Sequence, residues 1–190
     1  MEKITDTTYP TLRSRRLELT PIAQGDRGAL LELLSLEPVR RYLLDGNVPE
    51  AEWVASLVVD SDRGFERGGL GLWAARRPRE PRLAGLVGFR EFYEPPVEEL
   101  LYALHPDFWG QGLATEMAAA AIDHAFGATS RQLVRASTDL PNTASLEVMR
   151  RLGMQETGRE PASADGRWDQ VHCAIERGAW QLGSSPSGGR

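Results

Sequence analysis

Apolar residues recur along this chain with two different periods, and the switch between them sets out the elements. Leu17, Leu19 and Ile22 alternate with polar neighbours, which predicts an opening strand over 17–22. Ala29, Leu30, Leu33 and Leu34 recur at helical spacing behind Asp26, a residue type that caps helix N-termini. Pro38 ends or redirects that helix, and a short helical piece over 39–44 follows. Pro49 sits where a first turn tolerates it, ahead of a helix whose apolar face is Trp53, Leu57 and Val58. Residues 64–71 read as a loose polar loop. Three strands are expected over 71–76, 82–92 and 98–104, with Pro78-Arg-Glu-Pro81 and Glu94-Pro-Pro96 as breakers. Breakers this short predict an antiparallel meander.

The most regular helical signal comes next. Ala114, Met117, Ala118, Ala121, Ile122, Ala125 and Phe126 follow the i, i+3, i+4, i+7 template. A strand over 133–137 completes a strand–helix–strand unit, which calls for a parallel pair. Asn142 caps a further helix carrying Leu146, Met149 and Leu152, and Gly153 stops it. Strands over 154–157 and 171–175 follow. The pattern is that of one α/β domain over 1–182, a mixed and mostly antiparallel sheet flanked by helices, with a disordered Gly/Ser tail over 183–190.

Between the third meander strand and the strong helix lies His105-Pro-Asp-Phe-Trp-Gly-Gln-Gly-Leu-Ala-Thr115. A glycine-rich turn that enters a helix presents unpaired N–H groups at the positive end of the helix dipole, and such a turn binds phosphate without a basic side chain. The glycines Gly110 and Gly112 fit neither a dinucleotide fingerprint, since Thr115 stands where a third glycine belongs, nor a P-loop, since no Gly-Lys-Ser/Thr follows. Taken alone they are equally a tight turn with glycines for geometry.

Composition narrows the remaining classes. The 190 residues are 41% hydrophobic, enough for a sizeable core, and the formal net charge of −5 disfavours nucleic acid as a partner. Arg13, Arg15 and Arg16 form too short a basic cluster to change that and read as a solvated face. No run approaches the roughly 20 apolar residues of a membrane span, and the N-terminal stretch lacks the apolar core of a signal peptide. Cys173 is the single cysteine, so no internal disulfide forms, and a cytoplasmic protein is expected.

Trp109-Gly-Gln-Gly-Leu-Ala-Thr-Glu116, followed by Asn142-Thr-Ala-Ser-Leu-Glu-Val-Met-Arg-Arg-Leu-Gly-Met154, resembles the GNAT superfamily of acetyl-CoA-dependent N-acetyltransferases. The resemblance is closest to its RimJ/RimL-type branch, which acetylates N-terminal amines of ribosomal proteins and includes many small-amine acetyltransferases. It begins at Leu12-Arg-Ser-Arg-Arg-Leu-Glu-Leu19, which looks like the branch's first strand, passes through Gly85-Leu-Val-Gly-Phe89 and ends near Trp180. The resemblance implies a GNAT-like fold in which the strand over 99–104 splays from its parallel neighbour over 133–137, with acetyl-CoA as cosubstrate in the splay and no metal. The family's pyrophosphate loop, Gln/Arg-x-x-Gly-x-Gly/Ala, falls on Trp109, Gly110, Gln111, Gly112, Leu113 and Ala114, and the amides from Trp109 to Thr115 would hold the pyrophosphate. Trp109 departs from the general pattern but is common in the branch. Leu104 and Phe108 would lie beside the cofactor. Asn142 would bond the pantetheine arm or serve only as a helix cap, and Arg151 would meet a phosphate or lie on a solvated helix face.

Amine acetylation needs a base for the amine, a donor for the thioester oxygen and, optionally, an acid for the thiolate. Glu99 is the candidate base, where the branch often carries Glu; Glu98 is its rival, because a one-residue register shift exchanges them. Met149 stands where many GNAT enzymes place an acidic tyrosine and cannot donate a proton, so Ser145 is the candidate acid. Tyr102 lines the acceptor pocket or belongs to the core. Cys173, in an apolar strand, reads as a core residue, which implies direct transfer in a ternary complex. The acceptor is a protein N-terminus or a small amine, its pocket drawn from residues 26–62, 92–98 and 160–168, with Trp53, Tyr93 and Trp168 as lining or core. Dimers are common in the branch, so a homodimer is compatible with it. The competing expectation is a non-catalytic acyl-CoA-binding module.

Overall fold

Five strands pair antiparallel in the order β1 (Leu12–Arg13), β2 (Glu18–Pro21), β3 (Leu72–Arg76), β4 (Leu83–Phe92) and β5 (Val97–Leu104). A second sheet has the order β6 (Leu133–Asp139), β8 (Gln170–Glu176), β7 (Gln155–Glu160) and is also antiparallel. The computed structural model describes residues 9–93, 95–162 and 168–184. The helices are α1 (Arg27–Ser35), α2 (Glu37–Leu43), α3 (Ala51–Gly68), α4 (Leu113–Ala128), α5 (Thr143–Arg151) and α6 (Arg177–Ser184).

The expected parallel pair is β5 and β6, and it is splayed. The strands lie side by side but belong to separate ladders. Side chains link them in the same order along both: Glu98 to Arg131, Glu99 to Ser137, and Tyr102 to Ser145 just beyond β6. In an antiparallel ladder alternate residues turn their N–H and C=O away from the partner strand. The His105 amide is bonded to the Ala84 carbonyl on the β4 side, so Leu104, Tyr102 and Leu100 turn their backbone groups toward the cleft.

Strand alternation divides the core. Leu100 and Leu104 of β5 pack with Met117, Ala118, Ala121 and Ile122 of α4, and that cluster reaches Val134, Ala136 and Ile175 of the second sheet. Leu101 and Ala103 pack instead with Leu30, Leu33, Val54 and Leu57 of α1 and α3. Complete burial of each large aliphatic side chain contributes about 1.5–3 kcal/mol.

Several local expectations change in the structure. The expected opening strand over 17–22 is present as β2, but a tight hairpin joins it to the short β1, because Ser14 N–H donates to the Leu17 carbonyl and turns the chain. Asp26 does not cap α1; its carboxylate receives the Ala23 amide and the Arg76 guanidinium. Pro38 redirects the chain, lying in the first turn of α2 after α1 ends at Ser35, whereas Pro49 precedes the N-cap of α3 and is outside its first turn. The expected loop over 64–71 is largely helix, since α3 runs to Gly68. Gly64 is there for close approach: a Cβ on it would stand 2.5 Å from the Leu70 carbonyl oxygen. Helix α6 was not expected and is held from a distance. The Arg177 guanidinium donates to the carbonyls of Phe126, Thr129 and Arg131 at the end of α4, and Trp180 Nε1 donates to Asp123 at 2.7 Å. Ser184 closes this helix, and residues 185–190 of the expected tail lie outside the described residues.

Arg16, though half-exposed, proves to be part of the framework. Glu116, in the first turn of α4, accepts Ser14 Oγ at 2.7 Å, the Arg16 amide at 2.7 Å and Arg16 Nε at 2.7 Å. Burial pushes the Glu116 carboxyl up, but these donors outweigh it and hold the group below its ordinary value. A depressed carboxyl contributes stability above its unfolded pKa and loses it as pH falls through the folded value. Glu116→Ala should therefore lower stability by about 1–3 kcal/mol at pH 7, with the deficit shrinking on acidification, as read by urea melts across pH.

Candidate active site

The turn between β5 and α4 is built to leave donors free. A 3-10 turn over Pro106–Phe108 leads into Gly110 and Gly112, both left-handed at φ +72° and +73°. Among the described residues, the N–H groups of Gly110, Gln111, Gly112, Leu113, Ala114 and Thr115 meet no acceptor. The Gln111 carbonyl faces away and accepts Arg16 Nη1 at 2.9 Å, while its side-chain oxygen accepts Arg77 Nη2 at 2.6 Å. A Cβ at Gly110 would meet nothing within 4 Å, so open space lies over the free amides. This fits a phosphate-bearing ligand: donors, helix dipole and room coincide at the head of a 16-residue helix.

The neighbouring expected residues divide. Trp109, 49% exposed, donates its indole N–H to the Leu104 carbonyl at 2.7 Å and so covers one outward backbone group of β5. Phe108 is buried in the core beneath the Arg77 and Arg82 guanidiniums. Asn142 is the N-cap of α5: its Oδ1 accepts the Ser145 amide and its Nδ2 donates to Thr138 Oγ1. Arg151 is paired with Glu147 at 2.8 Å along the exposed face of α5. Ser145 Oγ lies 2.7 Å from the Tyr102 hydroxyl, which also donates to the Ser145 carbonyl at 3.1 Å. Burial drives the Tyr102 phenol far above its ordinary pKa, so it stays protonated and acts as a donor toward Ser145.

The two glutamates are separated by their partners. Arg131 takes both carboxylate oxygens of Glu98, at 2.6 and 2.8 Å. Glu99 is 4% exposed and faces the other way, accepting Ser137 Oγ at 2.5 Å. His172 Nδ1 stands 4.0 Å from its second oxygen. Burial is the largest influence on Glu99 and raises its pKa against the lowering effects of Ser137, His172 and Arg135. From Ser137 the hydrogen bonds continue to the Tyr93 hydroxyl at 2.8 Å and on to Gln170 Oε1 at 3.3 Å, so a polar chain runs from Glu99 to a half-exposed phenol.

Ser137, Asp139, Gln170 and His172 were not singled out in the sequence. Their signal was there: Arg135, Ser137 and Asp139 are polar at every second position of β6, opposite the apolar Val134 and Ala136. Asp139 is 6% exposed, and its Oδ2 has no hydrogen-bond partner among the described residues. Burial, followed by the nearby Asp45 charge, raises its carboxyl to about 6. A raised folded-state pKa gives stability that is complete below the unfolded value and lost as pH rises through about 6. Asp139→Asn should therefore stabilise the protein by about 1–3 kcal/mol at pH 7.5, and the gain should vanish near pH 4, as measured by chemical denaturation at both pH values.

Of the three aromatics proposed for an acceptor pocket, Tyr93 joins the polar chain. Trp53 lies under the Arg90 guanidinium, and Trp168 is partly exposed. Residues 94 and 163–167 of the expected pocket loops lie outside the described residues. Cys173 is buried, and burial pushes its thiol up, away from the reactive thiolate. No helix among the described residues is long and apolar enough to cross a membrane.

Comparison with known proteins agrees with this geometry. The acetyltransferase (GNAT) domain profile matches residues 16–155. An uncharacterized N-acetyltransferase of Bacillus subtilis, YoaA, is 26% identical over 152 residues, covering 79% of this chain and 85% of its own. A second from the same organism, YnaD, is 23% identical over 176 residues, covering 89% of this chain and 98% of its own. Among solved structures, a GNAT-family acetyltransferase from Bacillus anthracis superposes with a TM-score of 0.73 at 21% identity, covering 89% of this chain and 99% of that one. RimL, a ribosomal alpha-N-protein acetyltransferase in complex with coenzyme A, superposes with a TM-score of 0.74 at 19% identity, covering 88% and 98%.

Proposed function

This chain belongs to the GNAT family of acetyltransferases, and from that premise we propose that it moves the acetyl group of acetyl-CoA to a primary amine in a ternary complex, with Glu99 as the base. The observation that carries the assignment is the contrast between the glutamates: Glu98 is closed by Arg131, whereas Glu99 is buried beside the cleft between β5 and β6 with a raised proton affinity.

Acetyl-CoA, when bound, supplies an activated thioester. The free amides from Gly110 to Thr115 hold its pyrophosphate, and Gly110 and Gly112 keep the approach open. Outward backbone groups of Tyr102 and Leu100 pair with the pantetheine arm as an added strand would, Trp109 having taken the Leu104 carbonyl. Asn142 orders α5 through its Oδ1, and its Nδ2, which gives one proton to Thr138, has a second for that arm. Arg151, whose Nε meets Glu147, has its remaining guanidinium donors for a phosphate.

The acceptor amine is nucleophilic only without its extra proton. Glu99, directly or through a water, takes that proton, and the chain through Ser137 and Tyr93 connects it to the surface. As the N–C bond forms the C–S bond breaks; the departing thiolate takes the Ser145 hydroxyl proton, the second proton lost by the acetylated nitrogen returns to that oxygen, and the Tyr102 hydroxyl holds Ser145 in place. The buried Cys173 has no part in transfer.

The test is thiol release from acetyl-CoA in the presence of a panel of peptides with Ala or Ser at the N-terminus, polyamines, aminoglycosides and free amino acids. Amine-dependent release supports the proposal, and release that is independent of amine sinks it. The similarity to RimL supports including peptides, and the net charge of −5 supports cationic small amines.

A further inference from the structure

The face of the second sheet that carries the Glu99 partner is arranged in two rows. Ser137, His172 and Gly158 are opposite one another across β6, β8 and β7, and Asp139, Gln170 and Glu160 form the next row. Glu99 marks the first row through its bond to Ser137. Two residues of strand separate the rows by about 7 Å.

The second row is incomplete. Asp139 is 6% exposed, yet its Oδ2 meets no donor among the described residues, and an unanswered buried carboxylate oxygen is costly. His172 Nε2 is a second buried atom without a hydrogen bond, 3.7 Å from Glu160 Oε2. The charge that acts on Asp139 is another carboxylate, Asp45, which raises its proton affinity further. Among the described residues no cation pairs with it, and exposed Arg135 lies two rows back, where it acts on Glu99. Among the described residues no set of His, Cys, Asp and Glu is arranged to hold a metal ion. What remains is a compact cation with N–H donors, held about 7 Å from the nitrogen that Glu99 serves. The same row repels an acceptor that carries a carboxylate.

We propose that the acceptor is a small alkyl diamine with four or five methylenes between its nitrogens. Its distal ammonium lies against Asp139, with Glu160 at the rim and Gln170 between them, while its proximal nitrogen faces Glu99. This rests on the assignment of Glu99 as the base. Asp139 and Glu160 are specificity residues, reading the second charge.

The experiment compares 1,3-diaminopropane, 1,4-diaminobutane, n-butylamine and an Ala-starting peptide as acceptors of the full chain with acetyl-CoA. Expected is a kcat/KM for 1,4-diaminobutane about 100-fold above that for n-butylamine. Asp139→Asn should bring that ratio to within about threefold of unity, and the more exposed Glu160→Gln should lower it about threefold. Calorimetry of 1,4-diaminobutane with the CoA-saturated protein reads the same site without turnover, and its Kd should rise at least about tenfold in Asp139→Asn. Equal use of n-butylamine and the diamine, a preference that survives Asp139→Asn, or no diamine binding to the CoA-saturated protein would each overturn the proposal. A Glu99→Gln variant separates the two ideas. If it keeps full turnover while Asp139→Asn still loses the preference, the base assignment fails and the diamine site stands. If it loses turnover while no preference exists, the diamine site fails alone.

Discussion

Gly112→Val should abolish measurable binding of acetyl-CoA. The residue stands at φ +73° as the N-cap of α4, a conformation that a β-branched side chain adopts only at a cost of about 1–3 kcal/mol. Crowding within the protein is not the cause, since the nearest atom to an added Cβ is Arg16 Nη2 at 3.8 Å. The damage comes from two other sources. Valine pulls the backbone out of the left-handed region, which swings the free amides of Gln111, Gly112 and Leu113 off a common focus. Its methyl groups also enter the space that a phosphate needs. Affinity should fall at least about 100-fold, close to 3 kcal/mol, and the rise in Tm produced by CoA should disappear. Gly112→Ala, with a smaller side chain at the same φ, should lose about tenfold. Wild-type affinity in the valine variant would show that this turn does not hold the cofactor.

Glu99→Gln should lower kcat by about 100- to 1,000-fold while the Kd for acetyl-CoA stays within about twofold. The carboxylate lies beside the cleft, away from the free amides, so the two readouts are separable. In the wild-type protein the rate should fall on the acid side as Glu99 takes up a proton, because a protonated carboxyl accepts none from the amine. Burial places this limb above the ordinary carboxylate range, and it should be missing from the pH profile of the glutamine variant. Stability provides the control. With a raised folded-state pKa, Glu99 contributes stability that is complete below its unfolded value and lost as pH rises through the folded one. Glutamine imitates the protonated form, so at pH 7.5 the variant should be at least as stable as wild type. A variant that is slow because it is unfolded would fail that comparison, and unchanged turnover across pH would remove Glu99 from the mechanism.

The acceptor specificity proposed for Asp139 carries a related tension. A carboxylate kept dry and unpaired for a ligand is a burden on the empty protein, which is why Asp139→Asn is expected to gain stability as it loses discrimination.

Much of the fold can be read from short windows of sequence. The helix after the glycine turn, the three meander strands and the Asn142 cap appear as expected, because each depends on residues within a few positions of one another. The elements that differ depend on contacts far along the chain. Helix α6 is held by the carbonyls at the end of α4, some 50 positions earlier. Arg16 looks like one of three solvated charges until Glu116 and the Gln111 carbonyl, about 100 positions away, are brought against it.

The site divides in the same way. Local pattern alone determined the glycine turn, the helix behind it and the presence of two adjacent glutamates at the start of β5, since hydrogen-bonding period and dipole are properties of contiguous chain. The different surroundings of the two glutamates were decided only by tertiary structure, where Arg131 closes Glu98 and Ser137 Oγ donates to Glu99. The same is true of the row formed by Asp139, Gln170 and Glu160. These residues come from three strands that become neighbours only when the second sheet assembles, and a carboxylate's burial and missing partner are properties of that assembly, which no stretch of sequence holds by itself.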